Sequence, residues 1–189
     1  MKTVKIVFVG DSITAYGNWA AVIDFAEVLN FSVPGGSTDE LFTAIPEILA
    51  SKPDLISVLI GTNDFGNPEI NREGSDVGAR VIAIVNEFKA KLPSAKIILH
   101  TILPRGLEAS GVDLRPRVIA ANDYIKAHVP NDVELIDLWP IFVAPDGLSL
   151  ADGFVKPDEP VLKLHLNEEG YREWITVLLP RLQRMVKSN

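Results

Sequence analysis

Five short runs of β-branched and aliphatic residues, separated by helix-period stretches, constrain this chain more than anything else in it. Val4–Val9, Glu27–Phe31, Leu55–Ile60, Lys96–Leu99 and Val133–Asp137 are strand-length and apolar, with little alternation. A strand with one wet face alternates; a strand covered on both faces does not. Helical patterns cover Trp19–Phe25, Thr38–Ala50, Val77–Lys91, Val112–His128 and Asn167–Lys187. Strand followed by helix, repeated, is the pattern of a parallel sheet with helices on both faces. Caps agree with it. Ser37 or Thr38 precedes the second helix with Glu40 in its first turn, and Asn167 precedes the last with Glu168 and Glu169 behind it. The prediction is an α/β protein with a five-stranded parallel sheet, in a single domain over residues 1–189.

At 189 residues the chain is long enough for one sizeable core. A net charge of -7 and a pI near 5.0 argue against nucleic acid as a partner. There is no cysteine, which removes disulfides, thiolate metal sites and a thiol nucleophile. No apolar run approaches the roughly 20 residues of a membrane span. The N-terminus runs straight into the first strand without the signature of a signal peptide. The cytoplasm is the expected location, and nothing here fixes an oligomeric state.

The chemistry gathers in the segments that follow the strands. Gly10-Asp11-Ser12 follows the first, Pro34-Gly35-Gly36-Ser37-Thr38 the second and Gly61-Thr62-Asn63-Asp64 the third. In a parallel sheet all three lie on one edge, where ligands collect. Ser12 there needs a base and a set of donors before its hydroxyl is a useful nucleophile. Asn63 carries an amide donor for a developing oxyanion, and Gly35 allows backbone N–H to approach a substrate closely. His165, just before the last helix, offers an imidazole to take the Ser12 proton. Between it and the last strand runs an irregular stretch, Val143–Val161, rich in Pro, Gly and Asp.

These four segments resemble the blocks of the SGNH, or GDSL-like, hydrolase superfamily. Gly10-Asp11-Ser12 matches the first block. Asn30-Phe31-Ser32-Val33-Pro34-Gly35 stands where that family has Asn-x-Gly-x-Ser-Gly, and Gly61-Thr62-Asn63-Asp64 matches the third block unchanged. His165-Leu166-Asn167 with Gly170-Tyr171 matches the fourth. The resemblance covers nearly the whole chain. It implies a flavodoxin-like three-layer α/β/α fold and hydrolysis of esters, and the expectation is a small or medium acyl ester with no metal or organic cofactor. It also implies Ser12 as nucleophile and His165 as general base, with an oxyanion hole from the N–H groups of Ser12 and Gly35 and the side chain of Asn63.

The fourth block departs from the pattern. The family has an acid three residues before the histidine; here that residue is Leu162. A backbone carbonyl near Leu162, a folded-back Asp158 or Glu159, or a displaced Asp152 are the alternatives for holding the imidazole. The expectation favours the carbonyl and a Ser-His dyad, with Asp158 and Glu159 as solvated loop charges. A non-catalytic binding protein of the same fold is the rival that Leu162 motivates. Asp64 reads as a turn residue or as support for the site, and Arg105 as cleft lining or a surface salt bridge. His100 reads as core edge or cleft, and His128 as an exposed helix end. Trp139, Phe142 and Trp174 read as core, leaving Trp19 as the aromatic expected to touch substrate.

Overall fold

A computed structural model describes residues 3–66 and 69–187. The strands are β1 (Lys5–Gly10), β2 (Glu27–Asn30), β3 (Leu55–Leu59), β4 (Lys96–His100) and β5 (Glu134–Ile136). They form one sheet in the order β2-β1-β3-β4-β5, with every pairing parallel. This is the flavodoxin-like order, with its switch point between β1 and β3. The helices are α1 (Ser12–Ala15), α2 (Trp19–Val22), α3 (Thr38–Ala50), α4 (Asn63–Gly66), α5 (Gly74–Lys91), α6 (Arg115–His128), α7 (Trp139–Phe142) and α8 (Glu168–Lys187).

Successive strand residues point to opposite layers. Val7, Val9, Ile56, Val58, Ile97 and Leu99 pack with α3, α5 and α6, among them Ile45, Val81, Phe88 and Val118. Ile6, Phe8, Leu55, Leu59, Ile98 and Ile136 pack on the other face with Ile13, Trp19, Phe142, Trp174 and Leu178. Both faces are covered, which is why the runs showed no alternation. Each fully buried aliphatic or phenyl side chain contributes about 1.5–3 kcal/mol relative to exposure.

Boundaries moved where local chemistry required. α2 ends at Val22, not Phe25, because the chain turns extended at Ile23 to reach β2. α6 starts at Arg115, where Pro116 suits a first turn and Asp113 accepts the Arg115 N–H. α3 begins with a full capping box between Ser37 and Glu40. The irregular stretch is organised by two isolated bridges, Val143–Leu150 and Val155–Leu166, and a 3-10 turn at Asp152–Phe154.

Candidate active site

β1 runs directly into Asp11, whose carboxylate accepts the Ile13 N–H at 2.9 Å and starts α1. Ser12 is the first residue of that turn and is 5% exposed. Its Oγ lies 2.8 Å from His165 Nε2. His165 comes from the far end of the chain, held by the Val155–Leu166 bridge and by Asn167. Asn167 caps α8 by accepting the Gly170 N–H at 2.9 Å, and its amide donates to the carbonyls of Gly153 and Val155. The other imidazole nitrogen, Nδ1, is hydrogen-bonded to Glu159 Oε1. Glu159 Oε2 accepts the backbone N–H groups of His165, at 2.9 Å, and Leu164, at 3.2 Å.

This corrects the expected dyad with a carbonyl acceptor. The Leu162 carbonyl is taken by the Gly106 N–H at 2.7 Å. Glu159 is not a solvated loop charge either, with its side chain 17% exposed. Its N–H donates to Lys156 O at 3.1 Å, and the Lys163 N–H donates back to Glu159 O at 3.0 Å. Lys163 completes the reversal in a left-handed conformation, φ 42°. The doubled-back chain lets an acid six residues before His165 reach the imidazole. Asp158 stays exposed, and Asp152 pairs with Lys163 at the surface. Burial opposes ionisation of Glu159. The hydrogen bonds from the His165 side chain and from the His165 and Leu164 N–H groups outweigh it and hold its pKa below the usual carboxylate range.

The two donor loops are tied to each other. Asn63 Nδ2 donates one hydrogen to Gly36 O at 2.9 Å, which leaves its second amide hydrogen free to face a ligand. Gly35 sits at φ 79°, a conformation that favours glycine. Among the described residues no carbonyl takes the N–H of Ser12 or Gly35. Asp64, fully buried, accepts the Thr38 N–H at 2.9 Å and the Thr38 hydroxyl at 2.5 Å, with Arg72 at 3.0 Å. It therefore supports the site by locking the start of α3 to the Asn63 loop. A cavity of about 280 Å³ opens beside these donors, lined by Gly35, Thr62, Asn63, Arg105, Leu162 and Leu164.

The aromatic expectation is corrected as well. Trp19 is buried, stacked on Phe8 at 4.6 Å, with its indole N–H on the Thr14 carbonyl. Tyr16, half exposed, holds its ring 5.5 Å from that of His165. It sits one helical turn after Ser12, a spacing that would have pointed to it. Arg105 lines the cavity and also pairs with Glu108, joining both expected roles, but it is buried rather than on the surface. His100 is core, bonded to Ser57 Oγ at 2.9 Å and edge-on to Trp174. Its pKa is pushed down to about 3, chiefly by burial and then by the charge of Arg181. His128 stacks on Tyr124 at the exposed end of α6. Among the described residues no group of three or more His, Asp or Glu side chains is placed to hold a metal ion, and no helix is long and apolar enough to cross a membrane.

Asp11 carries a pH signature of its own. Burial, with the Asp64 charge behind it, outweighs the Ile13 hydrogen bond and lifts its pKa to about 7 from 3.8. The folded state then binds more protons than the unfolded one between those values, so this carboxylate lowers stability as pH rises through the window. Asp11→Asn keeps the oxygen that accepts the Ile13 N–H. Its melting temperature is expected to fall less than that of the wild type between about pH 4 and pH 7. Parallel curves in thermal melts would count against this.

A model of the GDSL-like lipase/acylhydrolase family matches residues 8–173, from β1 into α8. The chain belongs to the GDSL-like lipase/acylhydrolase family. The platelet-activating factor acetylhydrolase IB subunit alpha2 of Homo sapiens is 31% identical over 179 residues, 90% of this chain and 72% of that one. The Gallus gallus protein of that name is 31% identical over 154 residues, 77% of this chain and 64% of its own length. Among solved structures, a GDSL-like lipase from Bacteroides thetaiotaomicron superposes with a TM-score of 0.82 at 18% identity, over 98% of this chain and 89% of that chain. An acetylxylan esterase from Geobacillus stearothermophilus gives 0.69 at 20% identity, over 93% and 92%. The family is one of hydrolases, and these structures show its fold shared at low identity.

Proposed function

We propose that the chain is a serine ester hydrolase that cleaves short or medium acyl esters through an acyl-enzyme on Ser12. The unbroken line Ser12 Oγ, His165 Nε2, His165 Nδ1, Glu159 Oε1 carries this reading. As Ser12 Oγ attacks the ester carbonyl, His165 takes its proton, and Glu159 holds the tautomer and balances the imidazolium. The tetrahedral oxyanion lies against the N–H groups of Ser12 and Gly35 and the Asn63 amide. Collapse breaks the bond to the alkoxy oxygen, which leaves with the proton from His165. Water, deprotonated by His165, then attacks the acyl-enzyme and releases the acid and the Ser12 hydroxyl.

The small cavity beside Gly35 and Asn63 suits a short acyl group, and the acetylhydrolase and acetylxylan esterase names of the relatives point the same way. The rival non-catalytic reading rested on a missing acid, and Glu159 occupies that place. A fluorophosphonate probe separates the two. Covalent labelling mapped to Ser12 by mass spectrometry is expected; an unlabelled wild-type protein would favour the binding role. Asn63→Ala is expected to lower kcat about 10²–10³-fold, the usual cost of one oxyanion donor, with a smaller change in KM. A loss confined to KM on p-nitrophenyl acetate would place Asn63 outside the hole.

A further inference from the structure

The segment that leaves β4, Ile102–Glu108, takes no part in the chemistry above. It nevertheless touches both halves of the site. Arg105 is 3% exposed, and its Nη1 donates to the Thr62 carbonyl at 3.1 Å, directly before Asn63. Its Nη2 is held by Glu108. On the other side the Gly106 N–H donates to Leu162 O at 2.7 Å, inside the loop that joins Glu159 to His165. The fit there leaves no room for a side chain. A Cβ on Gly106 would lie 1.9 Å from the Val161 carbonyl oxygen and 2.8 Å from that of Leu162. The cavity beside the donors is lined from both loops, by Thr62 and Asn63 of one and Leu162 and Leu164 of the other, and by Arg105 itself.

We propose that Arg105 and Gly106 are positioning residues, forming a strut that fixes the distance between the Asn63 donor loop and the acid–histidine loop. The proposal rests on the serine-hydrolase reading for its catalytic meaning. The two loops come from β3 and from a segment some 100 residues later, and each carries part of one reaction centre. Nothing in the local sequence of either sets their spacing. The strut does so with hydrogen bonds to each loop, from adjacent residues in the segment that follows β4, the strand between β3 and β5. The Arg105–Glu108 pair holds the guanidinium in place, so the donor to Thr62 is preset rather than recruited.

The test uses three variants of the full chain, p-nitrophenyl acetate turnover and fluorophosphonate labelling. Misplacing a reacting group by about 1 Å costs on the order of 10²-fold in rate. Gly106→Ala is therefore expected to lower kcat and the labelling rate together by about that factor, with KM within roughly twofold. Should Gly106→Ala fail to fold, Arg105→Met decides. It removes the Thr62 donor and is expected to lose about tenfold in kcat, while Arg105→Lys, which keeps a cation and one donor, recovers part of that. Wild-type kcat in folded variants overturns the strut, as does a loss confined to KM, or Lys no better than Met. One readout is independent of turnover. An Nδ1 proton of His165 hydrogen-bonded to Glu159 is expected to give a downfield proton NMR signal that shifts or broadens in Gly106→Ala and Arg105→Met. If the wild type proves inactive and unlabelled, the functional reading falls while this signal still decides the strut, and an unmoved signal overturns it.

Discussion

Ser12→Ala is expected to reduce turnover by about 10⁶, the scale of loss when a serine hydrolase is stripped of its nucleophile, and to end fluorophosphonate labelling. The protein should still fold. Ser12 is buried but belongs to neither hydrophobic cluster, and α1 is started by Asp11 rather than by the Ser12 hydroxyl. The sharper form of the prediction concerns the pair. In the proposed mechanism Ser12 and His165 act as one unit, so Ser12→Ala/His165→Ala should be no slower than Ser12→Ala alone. Residual hydrolysis in either protein would come from Ser12 N–H, Gly35 N–H and Asn63 acting on the carbonyl without a nucleophile. Retained wild-type kcat in Ser12→Ala would move the nucleophile elsewhere. Additive losses in the double variant would show that His165 serves something other than Ser12.

Most of the frame was legible because its signals are local. Unalternating apolar runs gave the sheet, and Ser37 with Glu40 gave the start of α3. Gly-Asp-Ser and Gly-Thr-Asn-Asp each stand beside the strand that positions them, so their convergence follows from parallel topology. Glu159 stood among the alternatives but not as the favoured one, because its reach depends on a chain reversal through Lys163, a non-glycine residue with positive φ. Pro157, Asp158 and Pro160 signal a loop or turn but not which way it folds, and the two prolines read as exposed loop. Trp19 was misjudged for a related reason. Proximity in sequence to Ser12 says nothing about which face of the turn a ring takes, and stacking on Phe8 draws the larger, more apolar ring into the core. Tyr16 remains at the mouth. The contacts of Arg105 and Gly106 were not legible in the sequence because they are long-range and neither residue belongs to a motif block.

Glu159→Gln is the experiment in which the chain's departure from its family pattern is put at risk. Glutamine keeps the length and an oxygen for the backbone N–H groups of Leu164 and His165, so the loop should hold its shape. It loses the charge, and its amide can donate to Nδ1 and favour the wrong tautomer, leaving Nε2 protonated and unable to take the Ser12 proton. The comparable change in a serine protease costs about 10⁴ in kcat, and a loss of about 10³–10⁴ is expected here with KM little changed. Asp158→Asn, one residue away and exposed, should match the wild type. Stability supplies an independent check through the sign of the Glu159 shift. Its folded pKa lies below the unfolded 4.5, so the carboxylate contributes stability above that pH and loses it as pH falls through the folded value. The wild type should therefore melt above Glu159→Gln at neutral pH, and the gap should close in acid. If Glu159→Gln turned over at the wild-type rate, the acid behind His165 would not be Glu159. If its melting gap stayed constant into acid, the carboxylate would not be ionised against His165 as the geometry requires.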